Sequence, residues 1–215
     1  MRTTFIVITS AFFMFSEISA QIEKLPMESI QKVSVEALEA FKMLVTDNNF
    51  ANMGFKSKNE VKTAKLGDPI REFTVRLDML KKYKPGDDPN NLLTGGNRVI
   101  YPVTVDNQVR SSIEITEVEK KWSATGFGGS NFIKLLDKTR KTQVDSSKLS
   151  PSSYFAVRIP AFNLYFIAHY AENKLMLTPV FDTSGLGLKA QITKSADEVF
   201  EALIPAAQKH DGSPR

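Results

Sequence analysis

The chain contains no cysteine. Disulfides, thiol catalysis and thiolate metal sites are excluded, and so is lipid attachment through an N-terminal cysteine. Histidine is nearly absent: His169 and His210 are the only two. They lie 41 residues apart with no second ligand at helical or hairpin spacing, so neither a metal site nor a cofactor is expected. No Asn-x-Ser/Thr acceptor occurs. The apolar stretch near the N-terminus, residues 5–15, has 11 residues. A membrane-spanning helix needs about 20, so no transmembrane anchor is expected. Neither sign of charge dominates. The formal net charge is +4, with acidic residues mixed among the basic ones, which makes nucleic acid a poor partner. The densest basic runs, at 81–84 and 138–141, read as solvated faces.

What is present at the N-terminus is the pattern of an export signal. Arg2 supplies a positive charge, residues 5–15 an apolar segment broken only by Thr9 and Ser10, and Ser19-Ala20 a small-residue cleavage site. Ile18, at the −3 position, is larger than usual. Cleavage after Ala20 leaves 195 residues beginning at Gln21, and the mature protein is expected to be periplasmic or secreted. That length suffices for one buried core or two small packed halves.

Apolar residues at Met27, Ile30, Ala37, Leu38, Phe41, Leu44 and Val45, with a gap at Ser34, predict an amphipathic helix over 27–47. Ser57 and Glu60 have capping-box spacing and open a short helix ending near Gly67. Phe73, Val75, Leu77 and Met79 alternate with polar residues and predict a strand, followed by a polar loop from Lys84 through Gly95-Gly96. Residues 99–105 and 109–115 alternate on either side of Asp106-Asn107, a hairpin with a tight turn. Pro102 suggests an edge or a bulge. Trp122 sits on a further strand, and the turn at 126–130 leads into a helix over 131–140. Strands are predicted at 154–159, 161–170 and 175–181, with 171–174 as a turn. Ser195 and Glu198 cap a final helix that Pro205 ends or kinks, and 210–215 reads as a frayed tail.

The fold class is therefore α+β: antiparallel sheet with helices packed on one face, an arrangement that two similar α-β-β-β halves would satisfy. The corresponding segments are 21–144 and 154–209. A faint echo supports such halves, since Phe73-Thr74-Val75-Arg76-Leu77 resembles Phe155-Ala156-Val157-Arg158-Ile159.

Candidate chemistry is sparse. Gly126, Gly128, Gly129 and Ser130 precede a helix, where glycines let a ligand approach and free N–H groups suit an anion. The run lacks the Lys-Ser/Thr of a phosphate loop and the spacing of a dinucleotide fingerprint. The plainer reading is a strand-to-helix connection with Ser130 as N-cap. His169 is a candidate general base with Ser130 as nucleophile, but no Gly-x-Ser-x-Gly elbow supports the pair. His169 reads equally as a polar residue at a sheet margin. Asp87, Asp88, Asn90 and Asn91 lack the order of a calcium loop and read as a solvated turn. Phe155, Phe162, Tyr165, Phe166, Tyr170 and Phe181 line an apolar groove if the helices leave one sheet face uncovered; otherwise they are core. Tyr165 and Tyr170 are the candidate ligand contacts among them.

The order of capped helix and antiparallel hairpins over 57–140 resembles the layout of cystatin-like and PepSY-type secreted domains. In those families a helix packs on a curved antiparallel sheet and the task is binding or inhibition. This chain has no cystatin-type Gln-x-Val-x-Gly loop, so protease inhibition does not carry over and no functional residue transfers. The expected function is that of an exported, non-catalytic binding protein for a peptide, an envelope protein or an apolar ligand. Two other readings stand beside it: a hydrolase or transferase using Ser130 and His169, and a chaperone-like protein with an apolar groove.

Overall fold

The structure, a computed structural model, describes residues 25–212. The expected export signal at 1–20 and the last residues of the expected tail lie outside them. Helix α1 (Met27–Leu44) is followed by a 3-10 turn (Lys58–Thr63), β1 (Lys65–Leu66) and β2 (Ile70–Val75). Helix α2 (Leu77–Leu80) and a second 3-10 turn (Pro89–Leu92) precede the meander of β3 (Leu93–Val105), β4 (Gln108–Val118) and β5 (Lys121–Gly128). Helix α3 (Ser130–Ser147) crosses to β6 (Phe155–Ile159), β7 (Leu164–Ala171), β8 (Lys174–Pro179) and β9 (Lys194–Ser195). Helix α4 (Ala196–Lys209) completes the described elements.

All these strands join one sheet in the order β5-β4-β3-β2-β6-β7-β8-β9, with β1 beside β3. Every pairing is antiparallel except β2 with β6, which run parallel at the centre. The echoing segments thus lie side by side, and Phe73 packs edge-on against Phe155 at 5.2 Å. The α+β class holds. Among the described residues, no helix is long and apolar enough to cross a membrane.

Side-chain alternation along the strands separates two faces. On one, α1 buries Ile30, Leu38 and Phe41 against Val99, Tyr101 and Val103. On the same face α4 buries Val199, Phe200 and Leu203 against Val157, Phe166 and Leu177. The expected one-sided packing describes these helices but not α3. Ile133 and Leu136 of α3 meet Ile70, Ile100, Ala156 and Ile167 on the opposite face.

The local chemistry of most turns is as expected. Asp106 and Asn107 take φ of 49° and 60°, and Glu172 and Asn173 take 49° and 63°, the left-handed pairs that two-residue hairpins need. Ser195 Oγ accepts from Glu198 N–H and caps α4. Pro102 sits between the β1 and β2 pairings of β3, where no ladder N–H is required, and its carbonyl accepts from Gly67 N–H at 2.7 Å.

Several boundaries differ from expectation. β2 stops at Val75, because Leu80 and Tyr83 at helical spacing bury against α4 and pull the chain into a turn. The expected loop at Gly95-Gly96 is part of β3, at a register shift opposite Glu72 and Phe73. α3 continues to Ser147. α4 runs through Pro205 to Lys209. His210 is buried: its Nε2 donates to the Ala161 carbonyl at 2.8 Å, and its own carbonyl accepts from Lys81 Nζ at 2.7 Å.

Candidate functional site

The two helical layers on the α1/α4 face do not meet. Between them, over the central strands, three rings from three strands form the floor of a groove. Phe73 of β2 touches Phe155 of β6, and Phe155 lies 5.9 Å from Tyr170 of β7. The Tyr170 hydroxyl donates to Asn90 Oδ1 at 2.7 Å, fixing the polar end of the ring. The Arg71 guanidinium lies 4.7 Å over Phe73, and its Nε donates to the Gly96 carbonyl at 2.8 Å. Gly96 makes this possible, because a Cβ there would lie 2.7 Å from the Phe73 ring. With Met27, Pro69 and Val99 as walls, the groove has a volume of about 560 Å³, inside the roughly 300–1,000 Å³ range of ligand pockets.

A second cavity of about 670 Å³ adjoins the first, sharing Met27, Asp68 and Pro69. Its walls are charged. Arg140 and Asp137 of α3 are both more than nine-tenths buried. Arg140 Nη1 donates to the carbonyls of Asp68 and Pro69 at 3.0 and 3.2 Å, and Nη2 to Asp137 Oδ1 at 3.0 Å. Lys141 pairs with Asp137 Oδ2 at 2.7 Å. These partners are what allow charges to be buried here, and they pin the 68–69 turn between the two cavities.

The opposite face of the same central strands is charged. Glu72 is 5 % exposed. Its Oε1 accepts from Arg98 Nη1 at 2.8 Å, and Arg98 Nη2 reaches Glu114 at 2.6 Å. Glu72 Oε2 and Arg158 Nε are buried without a hydrogen-bond partner. Burial raises the Glu72 carboxyl above its ordinary range, against the opposing pull of Arg98 and Arg158. Arg158 lies 5.4 Å over Tyr165.

The residues singled out from sequence are scattered. Tyr170 and Phe155 line the groove. Tyr165 points to the other face, 4.5 Å from Phe132. The glycine run is the end of β5: Gly126 lies opposite Glu114 and Gly128 opposite Ser112, whose Oγ donates to the Gly128 carbonyl at 2.6 Å. Gly129, at φ 66°, is the N-cap of α3, and Ser130 is its first helical residue.

Ser130 and His169 are not brought together. α3 has 18 residues, so at about 1.5 Å per residue its ends are about 25 Å apart. Ser130 is at one end. His169 packs 5.1 Å from Tyr154, whose hydroxyl bonds to Ser147 at the other. Burial lowers the His169 pKa, and its Nδ1 has no partner.

Sequence reasoning missed Arg71, Pro69 and Val99 of the groove and Asp137 and Arg140 of its neighbour. The alternation of β2 identified one face of that strand but not the strands beside it. Among the described residues no group of three or more His, Asp or Glu could hold a metal ion. No protein-family model, no curated protein and no solved structure matches this chain.

Proposed function

We propose that the protein is an exported, non-catalytic binding protein that holds an apolar ligand in the groove over Phe73, Phe155 and Tyr170. The observation that carries this reading is a ring-floored groove of about 560 Å³ in the middle of the α1/α4 face. A concave site lined mainly by apolar and aromatic side chains, with a few polar groups to orient what enters, is the kind that holds a small ligand. The separation of Ser130 from His169 along α3 favours binding over hydrolysis, since proton transfer needs hydrogen-bond range. The export part of the reading rests on the N-terminal sequence pattern, and a mature protein whose intact mass begins at Gln21 is its expected outcome.

The test is a titration with N-phenyl-1-naphthylamine, a neutral apolar fluorophore. The expected result is a saturable rise in emission at one site per chain, with a Kd on the order of micromolar. A protein that is folded by circular dichroism and gives no rise would sink the reading.

A further inference from the structure

At the 68–69 turn the groove adjoins a chamber of different chemistry, with Met27, Asp68 and Pro69 lining both. We infer that the ligand is a single-chain amphiphile with a zwitterionic head, its chain over Phe73, Phe155 and Tyr170 and its head in the cavity beside Arg140. This inference rests on the groove being a binding site, and it adds the class of ligand.

The two adjoining cavities match the two ends of such a ligand. The first is lined mainly by rings and aliphatic side chains, with Arg71 stacked on Phe73 and Asp68 at the shared end, and its apolar floor suits a hydrocarbon chain. The second carries Lys65, Arg140 and Lys141 together with Asp68, Asp137 and Asp145. Three cations face three carboxylates, so the formal charges cancel while both signs line the wall. A purely anionic head would meet the carboxylates as well as the bases, and a purely cationic head would meet the reverse. A head carrying a phosphate and an ammonium places each against its opposite. The wall is also held in place. Buried Arg140 is fixed by the carbonyls of Asp68 and Pro69 and by Asp137. Lys65 and Asp145, by contrast, are exposed at its rim and make no ion pair among the described residues. Opposite charges that stay unpaired at the mouth of a cavity are available to a ligand that brings both.

The experiment is calorimetry of the full protein with three probes, each below its micelle concentration: lauroyl lysophosphatidylcholine, laurate and dodecyl maltoside. The fluorophore titration is run in parallel. The expected result is that the lysophospholipid binds about tenfold or more tightly than the other two. Lys141→Glu and Lys65→Glu, both exposed positions, each remove about that advantage. Lys120→Glu, in the distant β4–β5 turn, leaves it unchanged. If the fluorophore binds but the three amphiphiles are held alike, or if Lys141→Glu and Lys65→Glu leave the preference intact, the inference is overturned and the groove reading stands. If neither the fluorophore nor any amphiphile binds, both are overturned.

Discussion

Where β2 and β6 run side by side, the two faces of the sheet differ in chemistry. On one face Phe73 lies against Phe155, both buried, at the floor of the groove. On the other, Glu72 and Arg158 sit beside Phe73 and Val157 on the same strands, and Glu72 is nearly inaccessible. The rings and the carboxylate are buried to the same degree, which suits the rings and costs the carboxylate. The buried charge is compensated from within, by Arg98. The rings border a cavity, which is why the functional reading falls on them.

Separating stability from binding across these faces gives a series of expectations. The largest is at the covered end of the apolar face. Phe166 is fully buried beneath α4, and Phe166→Ala should cost about 4 kcal/mol in urea unfolding. On the charged face, Arg98→Ala leaves the Glu72 carboxylate buried without its partner and should cost about 3 kcal/mol near neutral pH. That penalty should shrink in acid, where Glu72 takes up a proton. A penalty that does not depend on pH would show that the pair is not what the substitution breaks.

Glu72 itself gives a signed pH effect. Because burial raises its folded-state pKa, the folded protein holds this proton more tightly than the unfolded chain. The resulting stability is fully present below the ordinary glutamate range and is lost as pH rises through the raised value. Glu72→Gln keeps a neutral group there, so its stability relative to the parent should rise between about pH 4 and about pH 7. Denaturant midpoints at both pH values check the sign. The smallest effect belongs to Tyr170→Phe, which loses only the bond to Asn90. It should cost about 1 kcal/mol and leave the apolar floor in place.

Local features were legible in the sequence. The hairpin at Asp106-Asn107, the Ser195 cap and the inward residues of α1 all follow from spacing within about a dozen residues. The sheet order was not legible, because the parallel pairing of Phe73 with Val157 joins positions 84 apart. The echo between the two segments pointed at these strands without saying that they touch. His210 looked like tail because nothing nearby in sequence announces Ala161 and Phe162, its actual neighbours. Of the six rings expected to line a groove, only Phe155 and Tyr170 do: Tyr165 and Phe181 lie on the other face, Phe166 is core beneath α4, and Phe162 packs against His210. Aromatic content named the candidates, and only strand parity and register sort them.

The central claim is that the α1/α4 face of the seam, and not the other, binds an apolar ligand. It is tested most directly by filling the groove and, as a control, placing the same ring at an exposed position away from it. Ser153 is exposed at the groove wall, and Ser153→Trp places a ring in the groove. Thr125 is exposed on β5, where its hydroxyl meets that of Thr116, and Thr125→Trp adds the same ring away from it. With both variants folded, N-phenyl-1-naphthylamine binding should fall at least about tenfold in Ser153→Trp and stay at the parent level in Thr125→Trp. Undiminished binding in Ser153→Trp, or equal loss in both, would contradict the account.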